Sequence, residues 1–377
     1  MGLFAVVTFT TFILMSYVSL LALLLKVWHR QTRNNIVGKE AGCSVTIIIP
    51  TRNEEQSIVS CLTLIFSNKF PEHLLQVIVV DDHSSDDTRL LVEKKFSGKL
   101  TCLSLPEGVF GKKQAITLGV EYAQNDIILL TDADTQAGPL WIQSHVSEYS
   151  HPGIYAVTGS VFPMSGDTVM GRFQFLDYLS VMAATAFGFR YNLFWLANGA
   201  NMSFRKEIFK NVSGYYGNEH MASGDDVFLF KKIRKASPNS IVFVHHEDIM
   251  VKTAFETTWT GFLQQRKRWA TKTVAYANNT LFTFQGIVCI AVVYPFLMMV
   301  LSAFGGAKLL LTGLLFLCIK LVADFYFLKK METSIHCSGA MKNFLISTFL
   351  HAIYMFCAFW WTFFPSPYHW KSRRVNS

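Results

Sequence analysis

Apolar positions divide the chain into three stretches of different character. Residues 3–25 run 23 positions without a charge, and at about 1.5 Å of rise per residue a helix of that length crosses a hydrocarbon core of about 30 Å. Lys26, His29, Arg30 and Arg33 follow this run, whereas a cleaved signal peptide carries its basic residues ahead of a shorter apolar core. The pattern predicts a transmembrane helix, with the next segment held in the cytosol by those basic residues. Beyond residue 43, short β-branched runs alternate with amphipathic stretches. Residues 44–49 (SVTIII), 76–80 (QVIVV) and 126–130 (DIILL) read as buried parallel strands, with helices at 54–66 and 112–123 between them. Three more apolar runs follow, at 282–307, 309–328 and 344–364. Three full crossings would put the basic Lys371, Arg373 and Arg374 on the outer side, so one run reads as re-entrant or interfacial. Lys320 and Asp324 stand four apart in the second run, where they predict a pair on one helical face.

The resulting organisation is an N-terminal membrane helix (1–28), a basic linker (29–43), a cytosolic α/β domain (44–275) and a C-terminal membrane bundle with a basic tail (276–377). Composition agrees, since 51% hydrophobic and 14% aromatic residues in 377 positions exceed what an ordinary soluble globule carries. The net charge of +8 sits beside the hydrophobic segments, a pattern that favours lipid headgroups and phosphorylated ligands over nucleic acid. Seven widely spaced cysteines, without CxxC or zinc-ligand spacing, read as reduced packing residues.

In open parallel sheets, ligands bind at the carboxyl ends of the strands. Residues 50–54, Asp81-Asp82 and Asp132-Ala133-Asp134 are therefore expected to converge on one crevice. Asp132 and Asp134, delivered by a hydrophobic strand, suit a hard divalent cation that neutralises a diphosphate; a solvated turn is the plainer reading. Asp81 and Asp82 repel one another unless donors offset them, and a nucleoside's hydroxyls or base N–H groups are such donors; helix capping is the alternative. Gly111-Lys112-Lys113-Gln114 opens a helix in a manner that favours phosphate. The P-loop and GxGxxG spacings are absent, which argues against an NTPase or a dinucleotide dehydrogenase. Gln265, Arg268 and Trp269 fall at i, i+3 and i+4 and share one helical face, and the basic run 266–268 ahead of an apolar segment also reads as the anchor of an interfacial helix.

The segments IIIPTRNEE, VIVVDDHSSDDT, GKKQAI and LLTDAD occur in the order found in family 2 inverting glycosyltransferases, which this chain resembles. SGDDVFL at 223–229 is similar to that family's acidic ED motif, and QRKRW at 265–269 to its QxxRW motif, so the resemblance covers about 44–270. It implies a type A glycosyltransferase fold, a Rossmann-like and mostly parallel nucleotide-sugar domain, joined here to about four transmembrane or interfacial helices. It implies that Thr51, Glu54, Asp82, Lys112 and Asp132 bind the donor nucleotide, and that Asp132 and Asp134 hold Mg2+ or Mn2+. Asp226 is then the catalytic base. Asp225 stands where the family has glutamate, which leaves the assignment between the two aspartates open. Gln265, Arg266, Arg268 and Trp269 would serve the diphosphate and the acceptor, and Asn198-Gly199-Ala200-Asn201 resembles the segment beneath the acceptor site. The donor implied is a UDP-sugar.

The expected activity is inverting transfer of a sugar to a lipid-linked or membrane-proximal acceptor, by an integral protein of the cell membrane that contacts membrane lipids and is open to oligomerisation. A processive polysaccharide synthase, of the hyaluronan, chitin or cellulose kind, is the other enzymatic reading. A transporter with a nucleotide-sensing domain is the non-enzymatic one, although such proteins place polar residues within their spans.

Overall fold

The computed structural model describes residues 3–31, 42–164, 167–217, 224–276, 279–337, 339–363, 368–370 and 373–375. Arg33 of the linker, Ser223 of the acidic motif, and Lys371 lie outside them. The chain begins with helix α1 (Leu3–Gln31), then β1 (Val45–Thr51), α2 (Ile58–Phe66), β2 (Leu75–Asp81), α3 (Thr88–Lys95), β3 (Thr101–Ser104) and α4 (Lys112–Tyr122). It continues through β4 (Ile127–Leu130), β5 (Thr135–Ala137), α5 (Trp141–Glu148), β6 (Ala156–Gly159), β7 (Val161–Pro163), α6 (Val169–Tyr191), β8 (Met202–Arg205) and α7 (Lys206–Asn211). Then come α8 (Asp225–Ala236), β9 (Ile241–Val244), β10 (Val251–Thr253), α9 (Trp259–Tyr276), α10 (Asn279–Gly305), α11 (Ala307–Ser334), α12 (Phe344–Phe363) and the strands β11 (Tyr368–Trp370) and β12 (Arg373–Val375).

Seven strands form one sheet in the order β3-β2-β1-β4-β8-β6-β9. Only β8 runs against its neighbours, pairing antiparallel with both β4 and β6. The central strands are apolar on both faces because both faces are covered. Ile47 and Ile49 of β1 pack with Ile58, Leu62 and Ile65 of α2 and with Trp141 of α5. Ile48, between them, points the other way, to Ala115, Ile116 and Val120 of α4 and Leu229 and Phe230 of α8. A smaller sheet, β5-β10-β7, lies beside the large one and carries the chain on from the Asp132-Ala133-Asp134 turn.

A third cluster joins this domain to the apolar helices. Leu20, Leu24, Val27 and Trp28 of α1 pack with Leu176, Leu179 and Ala183 of α6 and with Phe327 and Met331 of α11. Trp28 is fully buried, lies 3.7 Å (ring centroids) from the His245 ring and donates its indole N–H to Ser334. Among the described residues, three helices are long and apolar enough to cross a membrane by length and composition: Phe4–Arg30, Asn279–Gly305 and Ala307–Ser334. The expected Lys320–Asp324 pair forms, and Tyr17 of α1 donates its hydroxyl to Asp324 at 2.7 Å. The run at 344–364, read as a further candidate span, yields α12, which packs on α10 but also on α6 and α9, Leu350 and Tyr354 meeting Met170, Phe173 and Phe262. Part of the C-terminal tail forms the β11–β12 antiparallel pair.

Candidate active site

The polar strand ends do converge. Thr51 ends β1, Asp81 ends β2 with Asp82 directly after it, and Asp132 lies two residues past β4, so parallel register brings all of them to one edge of the sheet. A polar crevice of about 730 Å³ is lined by Thr51, Glu54, Asp82, Lys112, Asp132, Asp134, Gln265 and Arg268. The adjacent acids Asp81 and Asp82 are both nearly inaccessible and are compensated by backbone: Asp81 accepts the Ser84 N–H, and Asp82 the Gly111 N–H at 3.0 Å. Gly111 makes that contact with φ of 104°, a conformation that a side chain would strain. Glu54 accepts from the Ser57 hydroxyl at 2.8 Å.

Lys112 joins the two halves of the acidic site. Its Nζ lies 2.7 Å from Asp132 and 3.3 Å from Asp225. Burial works against its charge, but Asp132 and then Asp225 outweigh it, so the ammonium is held above the usual lysine range. Asp225 and Asp226 open α8, where the helix N-terminus favours negative charge. Asp225 is buried against Lys112, whereas half-buried Asp226 is oriented by two backbone donors, Gly199 N–H at 3.0 Å and Val227 N–H at 2.7 Å. The backbone at Gly199 approaches this pair closely: a Cβ there would come within 2.9 Å of the Asp225 carboxylate and 3.0 Å of the Lys112 ammonium, so both side chains would have to shift.

A second cavity, of about 640 Å³, adjoins the first at the same acids and extends to different walls. It shares Lys112, Asp132, Asp134, Gln265 and Arg268 with the crevice and adds Asp225, Asp226, Trp269, Tyr178 and an apolar wall from α6, α10 and α12. Gln265, Arg268 and Trp269 therefore face one space, as their spacing required. Arg266 does not. One position from Gln265 is a rotation of about 100° on a helix, and Arg266 is turned into the interior, 1% exposed, against Asp177 of α6 at 2.5 Å. Its guanidinium lies 4.2 Å from the Trp269 ring centroid and within 6 Å of those of Phe262, Tyr178 and Tyr354. The expectation that Arg266 meets the diphosphate or acceptor is corrected accordingly.

Two contributors carried no signal of their own in the sequence. Thr253, on β10, donates its hydroxyl to Asp134 at 3.3 Å. Tyr178 belongs to an aromatic-rich stretch and is singled out only because α6 turns it into the chamber. Among the described residues no group of three His, Cys, Asp or Glu side chains is disposed to hold a metal by itself. The donors that the site offers are the carboxylates of Asp132 and Asp134, which suits a cation whose remaining ligands are phosphate and water oxygens.

Residues 46–213 match the family described as Glycosyl transferase family 2. The glycosyltransferase AglE of Haloferax volcanii is 28% identical over 206 residues, 53% of this chain and 64% of its own. The poly-beta-1,6-N-acetyl-D-glucosamine synthase of Staphylococcus aureus is 27% identical over 143 residues, 37% of this chain and 33% of that protein. The chain thus spans less than two thirds of the length of these relatives. Among solved structures, a mannosyltransferase from Pyrobaculum calidifontis in complex with GDP-Man and Mn2+ superposes with a TM-score of 0.56 at 19% identity, over 91% of this chain and 99% of that one. The α/β architecture is of the type A glycosyltransferase kind, and the family match lies within it.

Proposed function

We propose that this protein is a membrane-anchored, metal-dependent inverting glycosyltransferase that moves a sugar from a nucleotide-sugar, a UDP-sugar in our reading, to a lipid-linked or membrane-proximal acceptor. The observation that carries the proposal is the meeting of a polar crevice and a largely apolar chamber at one cluster of charged side chains, Lys112, Asp132, Asp134 and Arg268. A donor in the one and an acceptor in the other would react there.

Thr51, Glu54 and Asp82 take the nucleoside end in this reading, and Lys112 and Arg268 take the phosphates. Asp132 and Asp134 would hold Mg2+ or Mn2+, which supplies charge neutralisation for the departing nucleoside diphosphate. The acceptor hydroxyl attacks the anomeric carbon from the chamber side, the bond from that carbon to the diphosphate oxygen breaks, and Asp226 removes the hydroxyl proton. One displacement inverts the anomeric centre. Both aspartates line the chamber, but Asp226 fits the base role better, because Asp225 is buried in an ion pair with Lys112 while Asp226 is half-buried. Lys112 leaves Asp132 and Asp225 for the diphosphate as the donor binds, which couples loading to the acidic site.

In the membrane, α1, α10 and α11 are taken as the spans and α12 as an interfacial helix. Two C-terminal crossings then return the basic tail to the side of the catalytic domain, in agreement with the positive-inside rule.

The test is nucleotide release from a panel of UDP-sugars by purified protein with membrane lipid extract, with Mn2+ or with chelator. Metal-dependent release with one donor is expected. Asp226→Asn should lower transfer by about 10²–10⁴-fold while donor affinity is kept; normal turnover by this variant would remove Asp226 from the base role. A single added sugar supports the transferase reading, and a long polymer would favour a processive synthase.

A further inference from the structure

We infer that the apolar half of the chamber is a lateral slot for the hydrocarbon chain of a lipid acceptor, entered from the membrane between α10 and α12, with Gly286 setting its width. This inference rests on the transferase reading above and deepens it, because it assigns the acceptor's chemistry from the wall of the cavity.

Phe282, Gly286, Cys289 and Ile290 line the chamber from α10, and Met355 and Ala358 line it from α12. On α10 these positions follow the i, i+4, i+7 spacing of one helical stripe. Gln285 is the one amide side chain on that stripe. A glycan presents hydroxyls along its whole length and needs a wall of hydrogen-bonding partners, since burying polar groups without them is costly. A wall of this composition receives hydrocarbon.

The slot also has an exit. Phe282 and Ile290 line the chamber and are still 43% and 51% exposed, so the wall is open along α10. Because α10 is among the helices long and apolar enough to cross a membrane, that opening faces lipid. The chamber therefore joins the apolar face of α10 to Asp225, Asp226 and Arg268, so that a lipid's polar head would reach the acids while its chain stays in the slot.

Gly286 stands at the middle of the stripe. A Cβ there would meet nothing within 4 Å, so the glycine borders open space and is not forced by a neighbour. Glycine inside a helix costs about 1 kcal/mol relative to alanine, and what the position gains is width in the slot.

The experiment uses the full chain in nanodiscs containing membrane lipid extract, photolysed with a diazirine-tagged geranylgeranyl phosphate, with adducts mapped by peptide mass spectrometry. Adducts should fall within 282–290 and 354–358 and be competed by untagged geranylgeranyl phosphate. Gly286→Trp should lose them and lower kcat/KM for transfer to the lipid extract by about tenfold or more. Nucleotide-sugar affinity reports whether the variant is folded, and Gly286→Ala, which adds one methyl, should fall between it and wild type. Adducts spread over the exposed faces of α1 and α11 without competition would overturn the inference, as would wild-type transfer rates in a folded Gly286→Trp. Transfer by the wild-type protein without slot adducts overturns this inference alone; absence of any sugar transfer by the wild-type protein overturns the transferase reading as well.

Discussion

Arg266 lies within a motif from which Gln265, Arg268 and Trp269 face the chamber, yet its side chain is 1% exposed and its partner Asp177 is 5% exposed. Breaking a buried ion pair by removing one partner costs about 3–5 kcal/mol, because the other charge is left uncompensated. Arg266→Met should therefore destabilise the protein by that amount, equivalent to a drop of about 10 °C in the unfolding midpoint. Replacing both partners by apolar groups of similar volume is often neutral, so Asp177→Leu combined with Arg266→Met should regain most of the loss. The assay is thermal unfolding in detergent by intrinsic fluorescence, alongside sugar transfer, for both single variants and the double. Because Arg266 acts on α9 through Asp177 and the surrounding rings, transfer should return together with stability in the double variant. The reasoning is refuted if Arg266→Met unfolds at the wild-type midpoint without transferring, or if the double variant is stable and still inactive. Either result would mean that the guanidinium reaches substrate.

Three other outcomes follow from the same geometry. Asp134→Ala, which removes one of the two carboxylates available to a cation, should weaken metal-dependent donor binding by about tenfold or more, a loss of about 1.5–3 kcal/mol in a charged interaction; titration calorimetry with and without Mn2+ checks this, and equal affinity in both would reject the ligand assignment. Trp28→Ala empties a fully buried site between α1 and His245 and should cost about 3–5 kcal/mol, read as a lowered unfolding midpoint of the catalytic domain; no change would mean that α1 is only a tether. His145 is buried between Asn201 and Ser203, and burial holds its pKa down at about 4 from the usual 6.5, so the unfolded chain binds its proton between those values and the folded one does not. Stability should be full above pH 6.5, fall toward pH 4, and fall less steeply in His145→Gln; identical profiles would assign the acid sensitivity elsewhere.

Legibility of this chain in its sequence followed the range over which each signal acts. Continuous apolar runs gave β1, β2 and β4 because central parallel strands must be apolar on both faces, and the polar clusters after them had to share a sheet edge. β3, only half-buried at the margin of the sheet, left no such run. Spacing alone separated Gln265, Arg268 and Trp269 from Arg266, since a helix turns by 100° per residue; the motif resemblance, which counts letters and not angles, grouped them all. What joins α1 to the rest could not be read at all. Tyr17 meets Asp324 across 307 positions and Trp28 meets Ser334 across 306, and no local periodicity encodes contacts at that separation. The apolar half of the chamber is hidden for the same reason: its wall is assembled from α6, α10 and α12, and each contributes a stripe that looks like ordinary helix packing until the three are brought together. Motifs report the donor end because a nucleotide is held by residues at adjacent strand ends. The proposed acceptor end is a product of tertiary assembly, and a substitution such as Gly286→Trp, invisible to every motif, is the one that should lower transfer to a lipid.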